Sequence, residues 1–197
     1  FSNKIKRIGV IGTGTQAKLQ VEYLKNITES RDVMVWGRDD KKMDQYKQHM
    51  EKIGFEVTFC KSPHEVASEC NLIITATASK DYVLSNDDIL EGTHINAIGS
   101  DTPSKRELGP GIIEKADLVI ADSIEQCKYR GEIACSIRDG NLNLDNVVEL
   151  GDVLSGKISG RESKSQITVS DLTGVAVQDI KIADSVFKKF MEDKNEI

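Results

Sequence analysis

Short apolar runs alternate with longer amphipathic runs along most of the chain. Ile8–Ile11, Asp32–Trp36, Phe55–Cys60, Leu72–Thr75, Thr93–Ile98, Leu118–Ala121 and Ile167–Ser170 have the length and β-branched content of buried strands. The run holding Leu19, Val21, Tyr23 and Leu24 predicts a first helix, and Arg38–Gly54 a second, with Met43, Tyr46, Met50 and Ile53 facing inward. Ser62-Pro63-His64-Glu65 has the form of a capping box and predicts a helix to Cys70. Ser104 and Glu107 form a second such pair, predicting a helix broken at Gly109-Pro110-Gly111 and resuming to Ala116. Ser123–Arg130 is expected to be helical, and Gly131–Ser165, rich in Gly, Asn and Ser, to wrap irregularly. Val175–Met191 predicts a last helix with Val177, Ile180, Ala183, Val186, Phe187 and Phe190 inward, followed by a frayed tail from Glu192 to Ile197. Strands alternating with helices imply an α/β fold with a doubly wound parallel sheet.

The turn after the first strand carries chemistry. Gly12-Thr13-Gly14-Thr15-Gln16-Ala17 fits GxGxx(G/A) between a strand and a helix, the setting in which that spacing means dinucleotide binding. Gly12 permits the tight turn, Gly14 lets a pyrophosphate approach the backbone, and small Ala17 lets the helix pack closely. The helix start offers free N–H groups to the anion. An ordinary glycine-rich turn is the plainer alternative.

Ligands of doubly wound sheets sit at the carboxyl ends of the strands. The second strand ends in Gly37-Arg38-Asp39, with glycine where an acid commonly receives the ribose hydroxyls. A guanidinium beside that gap suits a 2′-phosphate, which favours NADP(H). If Arg38 is only a solvated charge, Asp39 or Asp40 takes the ribose and NAD(H) fits. Thr75-Ala76-Thr77-Ala78-Ser79 either lines the ribose and nicotinamide or is a plain polar loop. The fifth strand leads into Gly99-Ser100-Asp101, where Asp101 is the candidate acid/base group; its alternative is a turn-forming Asp bonding nearby N–H groups. His49, His64 and His94 read as surface helix, helix start and strand residues, and Asp122-Ser123 as a helix cap.

A chain of 197 residues buries a sizeable core. Its net charge of −6 argues against nucleic acid as a partner, and no apolar run reaches the ~20 residues of a membrane span. The four cysteines, Cys60, Cys70, Cys127 and Cys135, show no metal-binding spacing and suggest free thiols in a reducing, cytoplasmic compartment. The chain starts at Phe1, which suggests a piece of a longer polypeptide or a processed one.

GTGTQAKLQVEYL, VWGRD, IITATAS, INAIGSDTPSKREL, ADLVIADSIEQ, ELGDVLSGKISGRES and ITVSDLTGVAVQDIKIA occur in the order found in the ornithine cyclodeaminase/mu-crystallin family, which the chain resembles from about Ile5 to Ala183. The resemblance implies a Rossmann-type NAD(P)-binding domain over residues 1–170, with a C-terminal helix in 171–197 that packs toward a substrate domain. It implies an NAD(P)-dependent oxidoreductase or deaminase of small amino or imino acids. Asp101 matches the family's acid/base aspartate, VWGRD the NADPH-binding members, and Thr173-Gly174-Val175 the loop approaching nicotinamide and substrate. Members carry roughly a hundred further residues before the nucleotide domain, the size of a second domain. That part supplies the cationic clamp for the substrate carboxylate and most of a homodimer contact. These 197 residues alone are therefore expected to bind cofactor with little turnover. The alternatives are a cofactor-binding module and an inactive truncated paralogue.

Overall fold

A computed structural model describes residues 4–140 and 144–195. In chain order the elements are β1 (Ile8–Ile11), α1 (Thr15–Leu24), β2 (Asp32–Trp36), α2 (Asp40–Lys52), β3 (Glu56–Phe59), α3 (Pro63–Glu69), β4 (Leu72–Thr75) and β5 (His94–Ala97). Then follow α4 (Ile112–Lys115), β6 (Leu118–Ala121), α5 (Ile124–Cys127), α6 (Gly131–Arg138), β7 (Val147–Glu149), α7 (Leu150–Leu154), β8 (Thr168–Asp171) and α8 (Ala176–Asn195). The strands form one all-parallel sheet in the order β3-β2-β1-β4-β5-β8-β6-β7.

Central strands of a parallel sheet are covered on both faces, so they read as unbroken apolar runs. β1 and β4 bury all four of their residues. Alternation still sorts the side chains. Ile8, Val10, Val33, Val35 and Ile74 pack under Ala17 and Val21 of α1 and Tyr46 and Met50 of α2. Ile11, Met34, Ile73 and Ile95 pack on the other face with Val66 of α3, Ile112 of α4 and Ile133 of α6. Gly9 is small for this second layer, because a Cβ there would meet Val66 Cγ1 at 2.6 Å.

The register brings the strand ends level. Ile11 lies opposite Trp36 on one side and Thr75 on the other, and Thr75 lies opposite Ala97. Gly12, Gly37, Ala76 and Ile98 therefore leave the sheet along one rim.

Three expectations change. The second capping box does not form and Ser104–Leu108 is not helical; only Ile112–Lys115 is, started by Gly111. Glu107 is instead fully buried and bonded across the sheet, and charge-assisted bonds to buried donors outweigh a local cap. Gly131–Ser165 is not irregular throughout, since it holds α6, β7 and α7; its residues 141–143 lie outside the described ones. Gly131, which reads as a loop residue, starts α6 at φ +87°, and a Cβ there would lie 2.5 Å from Asp171 Oδ2. The apolar stripe of α8 faces outward, with Val177, Ile180, Val186, Phe187 and Phe190 all more than half exposed. Of the tail, residues up to Asn195 continue α8 and 196–197 lie outside the described ones. The four cysteines are buried free thiols, and no helix among the described residues is long and apolar enough to cross a membrane.

Candidate nucleotide site

The rim opens into a crevice of about 450 Å³, walled by Gly12–Gln16, Trp36–Asp39, Lys42, Ala76–Ala78, Ile98, Gly99, Asp101 and Lys105. Gly12 turns the chain at φ +116°, and a Cβ on it would lie 2.4 Å from the carbonyl oxygen of Ala76. Gly14 differs. Its backbone is extended, and a Cβ would meet nothing within 4 Å. The protein does not need glycine there for its own packing; the omission leaves bare backbone toward the crevice. Gly14 caps α1 without a side-chain bond, and no acidic residue lies in the first turn. The helix start therefore presents partial positive charge and unoccupied N–H groups, which fit a pyrophosphate.

At the β2 end, Gly37 is packed so closely that a Cβ would lie 2.9 Å from Thr13 Cγ2. A side chain there would have to displace those of Thr13 and Met43, and the position carries no carboxylate. Asp39 accepts the Lys42 N–H at 3.1 Å and caps α2. Arg38 and Lys42 stand on the same wall, so cations outnumber the single acid.

The other end carries Asp101 and Lys105, with Lys105 Nζ donating to Asp101 Oδ1 at 2.6 Å. The Asp101 side chain is 52% exposed, open to a reacting partner.

Gly12, Thr13, Gly14, Thr15, Gln16, Gly37, Arg38, Asp39, Ala76, Thr77, Gly99 and Asp101 thus share one crevice. Ala17, Thr75, Ser79, Thr173 and Gly174 are not on its walls. Ala17 is in the core, which suits its role as a small packing residue. Thr75 is buried and its hydroxyl donates to Glu107 Oε2 at 2.8 Å. Ser79 donates its hydroxyl to the Asp81 carbonyl. Thr173 and Gly174 are tied to α5: Gly174 N–H donates to Asp122 Oδ2 (2.7 Å), and Gln126 Nε2 donates to Thr173 Oγ1 (2.6 Å) and the Gly174 carbonyl (2.7 Å). Asp122 is thereby a loop anchor, while Ser123 alone caps α5.

Sequence reasoning missed Lys42, Lys105 and Glu107. Lys105 sits four residues after Asp101, a spacing that signals an ion pair only if the backbone between is known. Glu107 was hidden by its match to a capping motif.

Residues 2–194 match the sequence profile of the ornithine cyclodeaminase/mu-crystallin family. The chain belongs to that family. An alanine dehydrogenase of Archaeoglobus fulgidus is 37% identical over 181 residues, which are 91% of this chain and 55% of the relative. An archaeal alanine dehydrogenase dimer solved with bound NAD superposes at TM-score 0.91 with 34% identity, covering 96% of this chain and 59% of that one. The Δ1-pyrroline-2-carboxylate reductase of Thermococcus litoralis, solved with NADH and L-proline, superposes at TM-score 0.92 with 26% identity, covering 97% and 60%. The chain thus spans little more than half the length of these relatives.

Proposed function

We propose that these residues form the nucleotide-binding part of an NAD(P)-dependent oxidoreductase or deaminase acting on small amino or imino acids. One observation carries the reading: the glycine turn and Asp101 open onto the same crevice. The bound nicotinamide nucleotide would supply hydride exchange at the substrate Cα. Gly12–Gln16 hold the pyrophosphate with backbone N–H groups. Arg38 and Lys42 receive the 2′-phosphate, so NADP(H) is preferred, and NAD(H) is accepted through the same turn. Asp101 gives or takes the proton at the substrate nitrogen, and Lys105 keeps its carboxylate turned into the crevice. Small-molecule chemistry and a homodimer are supported by the dimeric, NAD-bound alanine dehydrogenase neighbour. The outward stripe of α8 supports its packing toward a substrate domain that completes the carboxylate clamp.

Fluorescence titration of the 197-residue chain with NADPH and NADH tests the binding half. Tighter binding of NADPH is expected, with negligible imine reduction by this chain alone; normal turnover would overturn the assignment of the carboxylate clamp elsewhere. In the complete polypeptide, Asp101→Asn should cut turnover by about 10²- to 10⁴-fold while leaving NADPH titration nearly unchanged. A binding module without turnover is the second reading, in which the Asp101–Lys105 pair does no more than close its turn. It requires Asp101→Asn to change nothing.

A further inference from the structure

Two wall residues of the crevice, Thr77 from the β4 end and Gly99 from the β5 end, are held by one buried side chain. Thr77 N–H donates to Glu107 Oε1 (2.5 Å), and Gly99 N–H donates to Oε2 (2.8 Å), which also receives the Thr75 hydroxyl (2.8 Å). Glu107 is completely buried and comes from the segment between Asp101 and α4, outside the sheet. That segment is itself clamped: Glu132 of α6 accepts the N–H groups of Glu107 (2.7 Å) and Leu108 (3.0 Å). Gly99 has no room for a side chain, since a Cβ would lie 2.3 Å from the Thr77 carbonyl oxygen and 2.5 Å from Glu107 Oε1.

An apolar side chain could fill this space, so folding does not require a carboxylate here. A fully buried carboxylate met by three neutral donors costs more than a well-packed apolar side chain. What the carboxylate does provide is a fixed distance between two strand ends that face ligand. Phosphates belong at the glycine turn and the adenosine at the Arg38 side, so the nicotinamide end falls at Thr77 and Gly99, beside Asp101.

We propose that Glu107 is a positioning residue, clamping the β4 and β5 ends so that the crevice wall fits the nicotinamide half of the nucleotide. The proposal rests on the nucleotide reading above and deepens it. Glu107→Gln preserves shape but replaces one accepting oxygen with an NH₂ donor. Thr75 can reverse its hydroxyl, whereas a backbone N–H cannot, so either Thr77 or Gly99 is left facing a donor.

The test compares two ligands on the wild-type and variant chains: NADPH, and adenosine 2′,5′-bisphosphate, which lacks the nicotinamide half. Glu107→Gln should weaken NADPH by about tenfold or more and leave the bisphosphate unchanged. Equal loss of both ligands, or loss of neither, overturns the proposal while leaving the nucleotide reading intact. Failure of the wild-type chain to bind either ligand sinks both. Amide exchange on the wild-type protein needs no variant: Thr77 and Gly99 N–H should exchange as slowly as interior amides of β4 and β5, and rapid exchange overturns the clamp.

Discussion

Lys105 Nζ stands 2.6 Å from Asp101 Oδ1, although the four-residue spacing is not helical. The turn between them is closed by Lys105 N–H on the Thr102 carbonyl (3.2 Å) and by the Ser100 hydroxyl on the Lys105 carbonyl (2.8 Å). The ammonium therefore aims a carboxylate that would otherwise rotate freely at the crevice mouth.

Lys105→Met separates aiming from folding. Asp101 is half exposed and Lys105 a quarter exposed, and such a pair contributes about 1 kcal/mol or less to stability, so Tm should hardly move. Turnover of the complete polypeptide should drop roughly 10- to 100-fold, as for a misplaced reacting group. Asp101→Asn, which removes the proposed proton carrier itself, should cost about 10²- to 10⁴-fold. Steady-state imine reduction measures both, and a Lys105→Met enzyme with wild-type kinetics would remove the ammonium from the mechanism.

In the proposed site, Arg38 is the residue that selects between the two nicotinamide nucleotides. Arg38→Ala should weaken NADPH by about tenfold or more, the scale of a charge-assisted bond to phosphate, and leave NADH nearly unchanged. The NADPH preference of the wild-type chain should also shrink with added salt. Asp39→Asn tests the rival arrangement while keeping the α2 cap, because Asn caps as well as Asp. Loss of NADH binding in that variant, with Arg38→Ala silent, would assign the ribose to Asp39.

Gly12 and Gly14 look equivalent in the motif and should behave oppositely. Gly12→Ala places a Cβ 2.4 Å from a backbone oxygen at φ +116°, so it should destabilise the fold by roughly 1–3 kcal/mol or more. Gly14→Ala meets nothing in the protein and should melt like the wild type, yet lose nucleotide affinity because its methyl group occupies the phosphate path. Thermal melts with and without NADPH distinguish the two.

The strands and most helices were legible because a parallel sheet writes its burial directly into apolar runs such as Ile8–Ile11 and Leu72–Thr75. The glycine turn was legible for the same local reason. What stayed hidden depends on partners remote in sequence. Glu107 matches a capping box by spacing, and only the nearness of Thr75, Thr77 and Gly99 in space turns it into a cross-link. Gly131 reads as a loop glycine until Asp171 is seen beneath it. The α8 stripe has the helical period that the chain needs to bury a face, but the period does not say which body buries it.

Beneath the crevice, Asp171 and Glu132 make stability depend on pH. Burial is the main cause that pushes Asp171 up to about 7 and Glu132 up to about 8; the negative charge of Asp122 adds to the rise of Asp171, and that of Asp171, then Glu107, to the rise of Glu132. In the unfolded chain both ionise near pH ~4. The folded state thus keeps protons that the unfolded state has released, and the stability they contribute, full below about pH 4, is lost progressively as pH rises to about 7 for Asp171 and about 8 for Glu132, with no further loss above. His94, pulled down to about 4 chiefly by burial, changes charge below this range and leaves it clear. Wild-type Tm should therefore fall between pH 6.5 and pH 8, where the folded state still holds these protons. Asp171→Asn should flatten that fall: its amide oxygen can accept the Ile133 N–H that now goes to Oδ2 (2.9 Å), and its NH₂ takes the place of Oδ1, which has no hydrogen-bond partner among the described residues. A wild-type Tm that is level or rising over this interval would show that both carboxyls are already ionised in the folded protein.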